Sequence, residues 1–267
     1  MKYNIIVDND KCWGLNIVKN TVNYFENKNL KIDKIWVLPS KISHKNNSSS
    51  SIWYLKTFGF YVFIKLGIFY LLSIFKNYYS GFYNFKSFSS KYHIDVIYIK
   101  SLNDKNLLNY LNKRSKIISF AVTNHIFNKK IINLRDHTII NKHSSLLPSF
   151  KGLFPYFWTK IMNKPNGVTF HIIDEKIDNG KIIYQKKINK NFNSMISFYL
   201  YVFNIYPKYL YISLKNFNKK KYKKKKYLSS YYSLPTKNNY KKFVKKKGSV
   251  ISISDLFKVN KLSYFSK

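Results

Sequence analysis

The chain has 267 residues and one cysteine, Cys12, so it can bury one sizeable core, two full domains would be cramped, and an internal disulfide is excluded. Its 48 basic residues, all lysine except Arg114 and Arg135, outnumber 11 acidic ones and give a net charge of +37. Such a field attracts nucleic acid, nucleotides or anionic lipid, although the excess of Lys, Asn, Ile, Tyr and Phe also carries the mark of A/T-rich coding.

The first twenty residues contain Asp8 and Asp10 and no unbroken apolar run, so no secretory signal is evident and the cytoplasm is the expected compartment. Tyr3–Val7 is a β-branched run closed by Asp8-Asn9-Asp10 and predicts a first strand. Leu15–Phe25 sets Ile17, Val18, Val22 and Phe25 at helical spacing, and Lys34–Leu38, stopped by Pro39, predicts a second strand. A βαβ opening builds a parallel sheet with ligands at its carboxyl edge. No Gly-x-Gly-x-x-Gly follows the first strand, so the usual dinucleotide fingerprint is missing.

Lys45–Ser51 reads as an Asn/Ser-rich linker. After it, Phe58–Phe75 runs eighteen residues with Lys65 as its only charge, the lower bound for a membrane span. Lys65, Gly59, Gly67 and the lack of a second such run favour a soluble helix, with peripheral membrane contact or a crossing as the alternatives. Ile94–Ile99 and Lys116–Phe120 predict strands flanking a short helix over Asp104–Leu111, and the second strand ends in the turn Thr123-Asn124-His125-Ile126. Gly167–Ile173 and Lys181–Tyr184 predict two strands joined by a loop bearing Asp178, and Met195–Leu214 predicts an aromatic helix on the sheet. Lys219–Lys226, seven lysines in eight positions, reads as a solvated, partly mobile tail.

Asn141 and His143 are two apart, so at a strand end their side chains share one side and Lys142 faces the other. With Asp178 from a second strand end, they supply an amide donor, a proton-shuttling imidazole and an orienting carboxylate. Those parts suit an amine attacking a carbonyl. Taken singly, each has a plainer reading as a cap, a satisfied imidazole or a hairpin turn. No Cys/His spacing resembles a metal site.

In order, Asn141-x-His143-x-Ser145-Leu146-Leu147-Pro148, Gly152, Gly167-Val168-Thr169 and Asp178-x-Gly180 resemble the folate-dependent formyltransferases, the family of glycinamide ribonucleotide, methionyl-tRNA and sugar-nucleotide formyltransferases. The resemblance covers residues 90–190 well and the N-terminal half only in pattern. It implies an α/β, Rossmann-like fold with a mostly parallel sheet over residues 1–190, followed by a short helical and lysine-rich C-terminal extension over 191–267. It further implies an N-formyltransferase that moves the formyl group of 10-formyltetrahydrofolate to a primary amine without a metal. Asn141 would hold the oxyanion, His143 would donate to it and carry protons, and Asp178 would orient His143 and a water. Asn124, His125, Ile126 and Phe127 would present the turn that faces the pterin ring, His125 without a catalytic part. Ser145, Leu146, Leu147 and Pro148 would shape the folate pocket wall, with His171 and Asp174 helping to close it. Lys142 stands where the family commonly has an apolar residue.

For the acceptor, methionyl-tRNA members carry a C-terminal β-barrel larger than the stretch that follows residue 190, whereas Ser230–Thr236 resembles the tail of members acting on amino sugars. The implied acceptor is a small-molecule amine, an amino sugar carried on a nucleotide, with methionyl-tRNA and glycinamide ribonucleotide as alternatives. The charge leaves tRNA and an anionic membrane surface open as partners. A reading of another class is a non-catalytic basic module holding RNA or lipid on a decayed catalytic fold.

Overall fold

A computed structural model describes residues 1–41, 47–113 and 115–259. Its first elements are β1 (Lys2–Asp8), α1 (Trp13–Glu26), β2 (Ile32–Leu38), α2 (Asn47–Phe58), α3 (Phe60–Tyr79), α4 (Lys86–Tyr92) and β3 (Asp95–Tyr98). The middle holds α5 (Lys105–Leu111), β4 (Ile117–Val122), α6 (Lys129–Ile132), β5 (His137–His143), β6 (Lys151–Gly152), α7 (Pro155–Ile161), β7 (Asn166–Ile172) and β8 (Ile182–Ile188). The last are α8 (Met195–Asn218), β9 (Tyr231–Tyr232), α9 (Lys237–Lys245) and α10 (Ile253–Phe257).

Seven strands form one sheet in the order β3-β2-β1-β4-β5-β7-β8, parallel from β3 to β5 and antiparallel for β7 and β8. Side-chain alternation sends Ile5 and Val7 of β1 to one face and Ile6 to the other. The first face builds the main core with Phe25 of α1 and Phe198, Val202 and Leu210 of α8. The second packs Trp36, Ala121 and Ile139 against Leu107, Leu111 and Ile131 from α5 and α6. The result is a mostly parallel α/β sandwich, the fold class expected. Residues beyond 190 contribute a layer of it, since α8 lies alongside α1 and beneath β8.

Helix starts follow local chemistry. Asp10 Oδ1 accepts from the amides of Cys12 (2.7 Å) and Trp13 (3.2 Å), and Asp104 caps α5 in the same way. Three expectations need correction. Ser49–Ser51 are the first turns of a helix and not a linker, while Lys45 and Asn46 lie outside the described residues. The apolar run is split at Gly59, whose φ of +84° breaks α2 from α3, and α3 is largely exposed; only Phe69, Ser73 and Asn77 are buried. The lysine tract is threaded and not a loose tail: the Lys223 amide donates to the Ile182 carbonyl (2.8 Å), and Lys225 Nζ donates to the Asn179 carbonyl (2.5 Å).

Candidate active site

The parallel strands β1, β4 and β5 end together, and the loops at those ends wall two adjoining cavities. One, of about 380 Å³, runs toward α1, α2 and α8 between Asp8, Trp13, Tyr54, Phe154, Tyr199 and Phe203. The other, of about 260 Å³, lies between the 124–127 turn and the loop from Ile173 to Asp178. Asn141, Lys142 and His143 line both, as do Thr123, Asn124, Gly152 and Leu153, so the end of β5 is the shared wall.

His143 is buried at the last position of β5. Its Nε2 lies 2.7 Å from the Phe150 carbonyl and its Nδ1 3.4 Å from Asp178 Oδ2. A carbonyl only accepts, so Nε2 carries the proton and Nδ1 of the neutral ring turns its lone pair toward the carboxylate. Burial holds the His143 pKa below the usual histidine value, and the Asp178 charge works against that lowering.

Asp178 comes from the β7–β8 loop with a left-handed backbone (φ 49°). Burial alone would raise its pKa. Its electrostatic interactions with His143 and His171 and the Gly152 amide, which donates to Oδ2 at 2.9 Å, more than offset burial and keep it a carboxylate. His171, paired with Asn141 across the β5–β7 ladder, sets its Nε2 3.6 Å from Asp178 Oδ1. Asn141 is half-buried, and among the described residues its carboxamide has no protein hydrogen-bond partner, which leaves both its donors for a ligand.

Two motif glycines are fixed by close approach. A Cβ on Gly152 (φ +91°) would fall 2.2 Å from the Tyr232 carbonyl, because β6 pairs there with β9. A Cβ on Gly180 would fall 1.7 Å from the Ile172 carbonyl, which lets the loop bearing Asp178 close onto β7. Left-handed backbone also occurs at Phe150 (φ 57°) and Phe154 (φ 53°), costly for aromatic residues and clustered at this site.

Asn124, His125, Ile126 and Phe127 all line the smaller cavity. The Asn124 and His125 amides are engaged within the fold, donating to Asp8 Oδ2 (2.9 Å) and Thr123 Oγ1 (3.0 Å), so these two do not face a ligand. His125 Nε2 donates to the Pro39 carbonyl at 2.9 Å, as befits a turn residue. Ser145, Leu146, Leu147 and Pro148 line neither cavity. They are buried behind β5, where the Leu147 amide donates to Thr169 Oγ1 (3.2 Å) and Thr169 Oγ1 donates to the Ser145 carbonyl (2.7 Å). The turn folds under the strand that it follows, so these four residues pack behind the shared wall and support it. His171 and Asp174 do line the smaller cavity.

Lys142 faces the main core, opposite the polar pair, with Nζ 2.9 Å from Ser144 Oγ and 4.6 Å from the centre of the Phe203 ring; burial lowers its pKa to about 7. Sequence reasoning missed Asp8, whose burial raises its pKa to about 6, together with the Phe150 carbonyl, the Gly152 amide and Tyr231. The Asp8 carboxylate accepts from Thr123 Oγ1 and from Asn124, and lies 3.7 Å from His125 Nε2.

Residues 91–191 match the family model described as formyl transferase. The chain is 32% identical over 142 residues to the bifunctional polymyxin resistance protein ArnA of Wigglesworthia glossinidia brevipalpis, a match covering 52% of this chain and 20% of that protein. It is 36% identical over 94 residues to the methionyl-tRNA formyltransferase of Thermodesulfovibrio yellowstonii, covering 34% and 30%. The chain thus spans less than a third of either relative. In fold it is similar to WlaRD, a sugar 3N-formyl transferase solved in the presence of dTDP and 5-N-formyl-THF, with a TM-score of 0.54 at 21% identity, covering 87% of this chain and 69% of that one.

Proposed function

We propose, from the match of residues 91–191 to the family model described as formyl transferase, that this protein moves a formyl group from 10-formyltetrahydrofolate to the primary amine of a nucleotide-linked amino sugar. The observation that carries the reading is the pair of cavities meeting at Asn141 and His143, which lets two substrates reach the same two side chains from opposite sides. The residues of the smaller cavity fit a folate ring: Ile126, Phe127, Ile173 and Ile177 give apolar surface, and His143, His171 and Asp178 give a polar end. Folate supplies the formyl carbon and the nitrogen that leaves it.

Asn141 donates its unengaged amide hydrogens to the oxygen on which charge develops. His143 takes the proton of the attacking amine at Nδ1, the nitrogen left open by the Phe150 carbonyl, Asp178 holds the ring while it is charged, and the proton then passes to the folate nitrogen as its bond to the formyl carbon breaks. The larger cavity takes the acceptor, and its aromatic walls, Trp13, Tyr54, Phe154 and Tyr199 among them, suit a nucleotide base and a sugar ring. A methionyl-tRNA acceptor is the second reading, favoured by Lys225, which ties the lysine tract to Asn179 beside Asp178. A non-catalytic basic module is the third.

An acceptor screen with 10-formyltetrahydrofolate and nucleotide-linked amino sugars, methionyl-tRNA and glycinamide ribonucleotide tests the proposal. Formylation of an amino sugar is the expected result; exclusive turnover of either other acceptor refutes the sugar reading, and no turnover with bound folate supports the non-catalytic module. With the accepted substrate, Asn141→Ala lowers kcat by about 10²- to 10³-fold, roughly 3–4 kcal/mol, with folate binding largely kept. Unchanged turnover would remove Asn141 from the chemistry.

A further inference from the structure

α3 is amphipathic in the reverse sense for a helix on a water-soluble fold. Its inward side holds Phe69, Ser73 and Asn77: the Phe69 ring stacks on Trp13 at 5.4 Å, Ser73 Oγ donates to the Phe69 carbonyl, and Asn77 Nδ2 donates to the Lys11 carbonyl at 2.8 Å. Its outward side is an apolar stripe at helical spacing, Ile64, Ile68, Leu71, Leu72, Phe75 and Tyr79, with exposures from 41% at Leu72 to 84% at Tyr79. From Ile64 to Tyr79 the stripe covers roughly 22 Å of the 20-residue helix. A patch of this length on one face marks a contact surface.

Charge identifies the occupant. Between Asp33 and Asp95 the sequence has no acidic residue. Lys56 precedes the stripe, Lys65 sits over the Tyr61 ring at 3.9 Å and Lys86 follows. A second copy seated on this face would bring the same lysines together with no carboxylate from the segment to answer them. An anionic bilayer answers them with headgroup phosphates while its acyl chains take the aromatic and aliphatic side chains. Val62, Leu66 and Phe69 anchor the helix to the cluster around Cys12 and Ile196, so it is fixed to the fold along its length and cannot cross a bilayer without leaving it.

We propose that the outward face of α3 is a docking surface for anionic lipid, with the helix lying in the plane of the bilayer interface. The proposal is independent of the acceptor and of formyl transfer. Sedimentation of the full chain with vesicles of phosphatidylcholine alone, or mixed with phosphatidylglycerol, tests it against an Ile68→Gln/Leu72→Gln/Phe75→Gln variant. The unaltered protein binds mixed vesicles at least about tenfold more tightly than neutral ones. The variant, with unchanged circular dichroism and melting, loses about tenfold or more of that binding. If the variant does not fold, Leu71→Gln and Tyr79→Ser, each taken singly, carry the same comparison. Three outcomes would each overturn the proposal: no vesicle binding by the unaltered protein, undiminished binding by the variants, or a concentration-dependent dimer in sedimentation velocity that the variants dissolve.

Discussion

At the scale of single residues, the site turns on which histidine nitrogen is left open. The Phe150 carbonyl fixes the proton of His143 on Nε2, so Nδ1 is the accepting atom and the carboxylate beside it is arranged to hold a charged ring. Asp178 raises the proton affinity that burial lowers. In Asp178→Asn the His143 pKa therefore drops further, the acid limb of the pH profile of kcat/KM moves to lower pH, and turnover falls by about 10²-fold or more. A limb that stays in place would detach Asp178 from the titration of His143. Asp8 behaves oppositely to Asp178. Burial raises its carboxyl from 3.8 to about 6, so in that window the folded protein keeps a proton that the unfolded chain has released, and stability falls as pH rises through it. Asp8→Asn should flatten this dependence and stabilise the protein at neutral pH by on the order of 1–3 kcal/mol, read from urea unfolding at several pH values. A variant that melts with the same pH dependence would contradict it.

At the scale of elements, short pairings hold the geometry of the candidate site in place. The two-residue pair β6–β9 carries the Gly152 amide to Asp178 and ties residues 230–232 to the 150 region, through Lys151 N to the Ser230 carbonyl (2.9 Å) and Phe150 N to Ser230 Oγ (2.9 Å). The loop bearing Asp178 is gripped from two sides, by Lys151 Nζ on Asn179 Oδ1 (2.8 Å) and by Lys225. Its approach to β7 depends on Gly180, where a methyl group has nowhere to go. Gly180→Ala is expected to cost about 3 kcal/mol or more, or to push the loop away from His143 with a loss of activity exceeding any loss of folded protein. Thermal melting and kcat measured on one preparation distinguish these two, and wild-type values for both would show that the close approach is not required.

At the scale of the whole molecule, the charge of +37 and the aromatic cavity point to different acceptors. Replacing Lys219, Lys220, Lys221, Lys223, Lys224 and Lys226 with Gln, and sparing Lys225 for its contact with Asn179, separates them. A small acceptor keeps kcat/KM within about twofold at physiological salt, where the Debye length is about 8 Å. A tRNA acceptor loses affinity and its salt dependence flattens by about 0.9 in log–log slope per lost phosphate contact. Formylation of methionyl-tRNA and of an amino-sugar nucleotide across a salt series reads both, and a salt-sensitive loss on neutralisation would decide for tRNA.

What the sequence by itself determined is local or colinear: β-branched runs became β1, β2, β4 and β5, the 3.6-residue spacing became α1 and α8, and the order of Asn141, His143 and Asp178 pointed to one site. These were legible because strand alternation, helical periodicity and the two-residue offset of Asn141 and His143 are properties of neighbouring residues. Tertiary structure alone decided that the Phe150 carbonyl meets His143, that the Gly152 amide meets Asp178, that Ser145–Pro148 lie under the strand, and that Tyr231 reaches the cavity from far beyond the end of the motif at Gly180. It also turned the apolar stripe of α3 outward. Periodicity shows that a helix has an apolar side, but which side a fold covers depends on the surfaces that other segments bring to it, and here Trp13 and the chain around Lys11 took the side carrying Ser73 and Asn77.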